Sequence, residues 1–337
     1  MGTSMISCSN VDTEKAPTYP DKFANTELEY KSGLGDMFDI MKAYFTTERF
    51  NPTPTIEIPV HAITARQLLE EQDDVIYRLG HSSVLMKLDG KLVMTDPVFS
   101  DRASPVQWAG PKRFHQTPIT IEDLPTIDVV VISHDHYDHL DKASIKVLGD
   151  KVGTFLVPLK VGQLLVNWGV PKEKVIELDW WESHSVDGIE YTLTPTQHFS
   201  GRGLTDRDTT LWGSWVINAQ QHKVFFSGDS GYFNGFKEIG EKYGPFDFTM
   251  IETGAYNELW SDIHMFPEQS VQAHIDVQGK VMMPIHNSTF DLSMHDWNEP
   301  MQRALDISEE RGVTLVSPEI GQRLAIAEPQ PAKAWWQ

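Results

Sequence analysis

The sequence predicts a layered α/β body, a single large domain over residues 56–337, preceded by an N-terminal arm over residues 1–55. Three observations carry this. From Val75 onward, short apolar runs that end in polar residues alternate with helical stretches, the texture of sheets layered with helices. One run, Val129-Val130-Val131-Ile132, is continuous, as in a strand buried on both faces. Two segments also look alike: Ser83 to Asp96 and Ser214 to Asp229 each read strand, turn, strand, aspartate, which gives two similar β-rich halves.

The arm is polar and irregular, with Pro17, Pro20, Pro52 and Pro54, and a helix is expected in it only near Met37–Phe45. Val84–Leu88 meets Asp89-Gly90, a strong two-residue hairpin turn, and Leu92-Val93-Met94 then runs into Thr95-Asp96. Beyond Val129–Ile132, strands are expected at Tyr191–Thr194, Trp215–Asn218, Val224–Phe226, Phe248–Ile251 and Val281–Ile285. Helices are expected near Asp141–Leu148, Pro267–Val277 and Glu299–Glu310. Pro267 followed by Glu268 suits a helix start, and Gly279 is read as the residue that closes that helix.

Apolar residues make up 40% of the 337 and charged residues 23%, which fits a folded chain rather than a disordered one. Lys and Arg total 28 and Asp and Glu 48, so the formal charge is −20. Such a chain repels phosphate backbones and anionic bilayers, which argues against nucleic-acid partners and leaves a small-molecule or lipid substrate. No stretch approaches the ~18 uninterrupted apolar residues of a membrane span, so any membrane contact is expected to be peripheral. No charged start with an apolar core marks an export signal. Cytoplasmic, exported and membrane-associated placements all stay open, as do monomer and homo-oligomer. The lone cysteine, Cys8, excludes an internal disulfide framework; it is read as an incidental terminal residue, with lipid attachment as the alternative.

The chemistry concentrates directly after Val129–Ile132, in Ser133-His134-Asp135-His136-Tyr137-Asp138-His139-Leu140-Asp141. A buried strand end cannot hold so many ionisable groups unless something compensates them. A divalent cation does so, because imidazole nitrogen and carboxylate oxygen ligate zinc-like ions well. His134 and His136 lie two apart and point the same way in extended chain, while Asp138 and His139 face a second position. Completion of two sites needs more donors at strand ends. His198 follows Tyr191–Thr194, Asp229 follows Val224–Phe226, and His286 follows Val281–Ile285. His134, His136 and His198 are assigned to one metal, and Asp138, His139 and His286 to the other. Asp229 is the bridging carboxylate that a close pair of cations needs. Zinc suits these donors, and iron or manganese also accept them.

The pattern His134-x-His136-x-Asp138-His139 with a later His, Asp and His resembles the metallo-β-lactamase fold superfamily. Leu79-Gly80-His81-Ser82, Thr95–Ser100, Gly110–Phe114, Leu211–Trp215, Phe236–Gly240 and Gly254-Ala255-Tyr256 narrow the resemblance. They are similar to the N-acylphosphatidylethanolamine-hydrolysing phospholipase D family, over roughly residues 75 to 300. The resemblance implies an αβ/βα sandwich with the metals at one edge, and the family's ligands fall on all seven positions above. It implies a binuclear phosphodiesterase acting on a phospholipid-like diester through a hydroxide shared by two metals. Hydrolysis of a lactone, carboxyl ester or amide on the same metals is the rival, and a non-catalytic metal-binding sensor the second. The flanking blocks argue against antibiotic hydrolysis, and the charge against a nuclease.

His264 and Asp138 are the candidate catalytic residues. His264 precedes Pro267-Glu268, on a loop leading into a helix, and its place resembles a family histidine that helps with the phosphate or leaving group. The surrounding Ser261–Phe266 departs from the family pattern. Asp96 is expected to hold a ligand histidine by its far N–H, and His81 to do the same or to be a plain buried histidine. Arg202 is read as a phosphate fork or a surface ion pair. Trp212 and Trp215 are read as sharing one strand face, either in the core or as the wall of an acyl pocket.

Overall fold

The computed structural model describes residues 19–30 and 34–337; Cys8 lies outside them. Two seven-stranded sheets form the body. The first holds β1 (Val75–Gly80), β2 (Ser83–Leu88), β3 (Lys91–Thr95), β4 (Ile127–Val131), β5 (Val152–Pro158) and β6 (Val175–Leu178). The second holds β7 (Ser183–Val186), β8 (Ile189–Thr194), β9 (Ser214–Asn218), β10 (Lys223–Phe226), β11 (Phe246–Glu252), β12 (Gly279–Ile285) and β13 (Thr314–Leu315). A last strand, β14 (Arg323–Ala325), returns to pair antiparallel with β1.

Each sheet changes character midway. β1, β2 and β3 pair antiparallel, and β3 to β6 run parallel. In the second sheet β7 to β10 pair antiparallel, and β10 to β13 run parallel. The two hairpins alike in sequence, β2–β3 and β9–β10, therefore occupy equivalent places. The β2–β3 turn takes φ 48° at Asp89 and φ 78° at Gly90, the pair of positive angles that a tight hairpin of this hand requires.

Side chains alternate across each strand, so each sheet buries two faces. Ile76, Val84, Met86 and Val131 of the first sheet meet Leu193, Trp215, Phe226 and Met283 of the second in the inter-sheet core. Outside the first sheet pack α2 (Ala65–Glu70), α3 (Lys142–Leu148) and α4 (Val161–Asn167), through Leu68, Ile145, Leu148 and Leu165. Outside the second pack α5 (Gly235–Tyr243) and α6 (Pro267–Asp276), through Phe236, Ile239 and Val271. Each buried side chain of this size contributes about 1.5–3 kcal/mol. α1 (Leu34–Thr46) belongs to the arm, and α7 (Glu299–Arg311) packs through Met301 against Ile58, Trp297 and Trp336. Among the described residues no helix is long and apolar enough to cross a membrane.

One expectation is corrected. Gly279 does not close α6: the left-handed residue after the helix is Gln278, at φ 62°. Gly279 instead opens β12, where an added Cβ would lie 2.5 Å from the His274 ring and 2.6 Å from Thr249 Cγ2. Its glycine serves close packing rather than a turn.

Candidate metal centre and its cleft

The strands deliver their terminal residues to one edge of the sandwich. The loop after β4 brings His134, His136, Asp138 and His139; the connection after β8 brings His198; β10 leads to Asp229, and β12 directly to His286. Several non-glycine residues here hold left-handed backbone, among them His81 at φ 54°, Asp96 at φ 34° and His286 at φ 64°. Such angles are uncommon away from glycine, and they persist where the surroundings fix them, as at working sites.

The donor atoms converge. His134 Nε2 lies 2.9 Å from His136 Nδ1, and His198 Nε2 lies 3.3 Å from the same atom. His286 Nε2 is 3.2 Å and His81 Nε2 3.0 Å from Asp138 Oδ2, and His139 Nε2 is 3.5 Å from it. Within each of the groups His134/His136/His198 and His81/Asp138/His139/His286, the donor atoms all lie within 4.8 Å of one another. All seven residues proposed from the sequence as ligands are thus brought together, and His81 joins them.

Neighbours fix which nitrogen of His139 and of His198 faces the centre. Asp96 Oδ2 accepts from His139 Nδ1 at 2.7 Å and from Ser133 Oγ at 2.5 Å, while Oδ1 accepts from the Ser133 amide. His198 Nδ1 donates to the carbonyl of Ile263 at 3.0 Å. These bonds leave the opposite nitrogens as donors to a metal.

The residues fit a cation. Asp229 Oδ1 and His139 Nε2 are buried with no hydrogen-bond partner, which is costly unless a further group satisfies them. Burial, and after it the neighbouring imidazoles, holds His134 well below the usual histidine range, and burial does the same to His198, so both are neutral as ligation requires. Burial works against charge on Asp138 and Asp229, yet His139 foremost keeps both carboxyls well below their usual range. Burial likewise opposes charge on His139 and His286, but the carboxylates, Asp229 foremost, raise both. The protons on these two rings are those that a divalent ion would displace.

His264 stands beside the donors, its ring 5.2 Å from that of His198 and 5.3 Å from that of His286. Its Nδ1 donates to Glu252 Oε1 at 3.1 Å, which leaves Nε2 as its second working nitrogen. Glu252 ends β11, is fully buried, and accepts through Oε2 from the Met265 amide at 3.1 Å. Sequence reasoning missed Glu252, although the same strand-end position that singles out Asp229 and His286 applies to it. Glu252→Gln is expected to lower kcat by about 10–100-fold by loosening His264, and to add nothing once His264 is alanine. Steady-state kinetics on the single and double variants check this.

A cleft of about 260 Å³ opens onto the donors, lined by His136, Asp138, Asp229, His264 and His286 on its polar side. Tyr30, Ile40, Phe199, Trp260, Ile263 and Leu292 form its apolar side, so the arm supplies part of the wall. Arg202, Trp212 and Trp215 do not line this cleft. Arg202 donates through Nη1 to the carbonyls of Asp135 and Leu140 and stacks on the Tyr137 ring at 4.1 Å. Trp215 is buried in β9, its Nε1 donating to the Ile132 carbonyl at 2.9 Å. Trp212 precedes the strand, and three positions is an odd spacing, so the two rings do not share a strand face.

A family model described as a beta-lactamase superfamily domain matches residues 91–287. The solved structure of a metallo hydrolase, Igni18, from Ignicoccus hospitalis superposes with a TM-score of 0.58 at 23% identity, over 75% of this chain and 98% of that one, and shows the same fold. The chain belongs to the metallo-β-lactamase superfamily and is a metal-dependent hydrolase of that fold. An uncharacterized protein of Mycobacterium tuberculosis is 47% identical over 262 residues, 77% of this chain and 70% of its own. The N-acyl-phosphatidylethanolamine-hydrolyzing phospholipase D 1 of Caenorhabditis elegans is 37% identical over 268 residues, 75% of each chain. Within the superfamily the chain falls in the branch of that phospholipase D.

Proposed function

We propose that this chain is a binuclear phosphodiesterase that cleaves a phospholipid-like diester of the N-acylphosphatidylethanolamine type. The observation that carries the reading is the position of Asp229. Its Oδ2 lies 3.1 Å from His139 Nε2 and 3.0 Å from His286 Nε2, and 3.8 Å and 3.9 Å from His134 Nε2 and His198 Nε2. One carboxylate oxygen within reach of both donor groups suits two neighbouring cations. His134, His136, His198, Asp138, His139, His286 and Asp229 would hold the divalent ions, zinc first and iron or manganese next, which would supply an acidified water and offset the charge that develops on the phosphoryl oxygens.

The side chains do the rest. Asp96 keeps His139 in the tautomer that presents Nε2. His264 carries a proton on Nε2 to the leaving alkoxide oxygen, while Glu252 holds Nδ1 and so the plane of the ring. Tyr30, Phe199 and Trp260 line the cleft and offer apolar surface to the acyl part of the substrate. The diester itself is supported by the name of the Caenorhabditis elegans relative.

Purified protein is expected to hold two metal ions per chain and to hydrolyse bis-p-nitrophenyl phosphate and N-acylphosphatidylethanolamine, with both activities lost to a chelator. Metal analysis beside a panel of diesters and acyl lactones checks it. One ion with full activity removes the binuclear reading, and turnover of lactones alone replaces the diester.

A further inference from the structure

We propose that Asn25, in the N-terminal arm, is a positioning residue of the metal centre: its carboxamide holds the backbone of His198, so the arm completes the donor group of His134, His136 and His198. This rests on the reading of those three histidines as one metal-binding group.

β8 ends at Thr194 and β9 begins at Ser214, so His198 lies in the connection between them. A single bridge between Gln197 and Gly231 is the last ladder contact before it. His198 is only 1% exposed, and the main-chain N–H and C=O of a buried residue need partners. Asn25 supplies both. The His198 amide donates to Asn25 Oδ1 at 3.0 Å, and Asn25 Nδ2 donates to the His198 carbonyl at 2.8 Å. A carboxamide has an acceptor and a donor side by side, which matches the two groups of one residue.

The amide cannot be turned over. Trp212 Nε1, which only donates, points at Asn25 Oδ1 from 3.1 Å and fixes the oxygen on that side. The arm is tied down around this point: the Phe23 amide donates to the Asp208 carbonyl at 2.8 Å, and Gln197 Nε2 to the Leu28 carbonyl at 3.2 Å. The backbone of His198 is therefore held by the arm and its ring by Ile263. The remaining nitrogen, Nε2, is left facing His136 Nδ1. Asn25 also stands outside residues 91–287, so this support comes from beyond the matched family domain.

The test uses the full chain, stripped of metal and titrated with zinc against a chromophoric chelator. Asn25→Ala is expected to weaken one of the zinc equivalents by about tenfold, the lower end of the range for groups that support a ligand. Cobalt(II) in place of zinc should show a changed absorption spectrum for that equivalent alone. Glu27→Ala removes another bond from arm to body, its acceptor for the Asn234 amide at 2.9 Å, and touches no donor; its zinc affinity is expected to stay as in the parent. If Asn25→Ala does not fold, Asn25→Ser, too short to span both groups, carries the same expectation. Parent-like zinc binding in the Asn25 variant, or an equal loss in Glu27→Ala, overturns the proposal. His134→Ala separates the two readings: if it too binds zinc as the parent does, the three-histidine donor group itself is wrong.

Discussion

Asp229→Asn is expected to lose the more weakly held metal and most of the turnover while the protein stays folded. Asp229 Oδ2 reaches donor nitrogens of both groups, and Oδ1 is buried with no other partner. Asparagine keeps the shape but gives up the negative charge and one ligating oxygen, since its amide nitrogen does not ligate well. The donor group of His139 and His286 would then lack the negative charge that Asp229 Oδ2 places 3.1 Å and 3.0 Å from their Nε2 atoms. The strands on either side are untouched, because β10 is held by buried Val224, Phe225 and Phe226. Asp96 makes the paired comparison: it holds His139 directly and His134 through Ser133 Oγ, so Asp96→Asn is expected to cost ~10–100-fold. Elemental analysis and diester turnover are to be measured on both variants together. Two metals and a near-normal rate in Asp229→Asn, with both lost in Asp96→Asn, would exchange the two roles.

His264→Ala is expected to lower kcat by ~10²–10⁴, the range for general acid–base help, with the metal content unchanged. The ring lines the cleft beside His136, Asp138 and Asp229, and its Nδ1 is held by a fully buried carboxylate. A histidine kept for packing alone has no need of that partner. Substrates with better leaving groups should be hurt less, because they require less protonation as they depart. An unchanged kcat on a poor leaving group reduces His264 to part of the cleft wall.

The strand ends were the legible part of this chain. Val129–Ile132 reads as a buried parallel strand because it is apolar throughout, and ionisable residues immediately after it require compensation whatever the fold. The same logic reached Asp229 and His286. It failed for Glu252 only because glutamate at the end of a short apolar run looks like the first solvated residue of a loop; in the structure it is fully buried. Arg202 misled through nearness to His198 in sequence, since its guanidinium turns back onto Asp135, Leu140 and Tyr137. The arm was opaque for a different reason. Asn25 meets His198 across 173 positions, and nothing periodic in a proline-containing polar segment marks which residue will make that contact. β5 was also not foreseen, because Gly153 and Pro158 disguise it; an added Cβ at Gly153 would meet the Asp128 carbonyl of the neighbouring strand at 2.8 Å.

The donors come from both sheets, and this bears on how the molecule comes apart as well as on what it does. Asp138 and His286, 148 positions apart, face one another across the seam. Ions held there would staple the two halves at their rims, closing long stretches of chain whose free ends would otherwise cost entropy to bring together. A chain with one cysteine has no internal covalent equivalent. With ions held there, a chelator would be to this molecule what a reductant is to a disulfide-bonded secreted protein: it would unfasten the sandwich from the edge where the donors meet, and loss of catalysis and loosening of the fold are expected to begin at the same place.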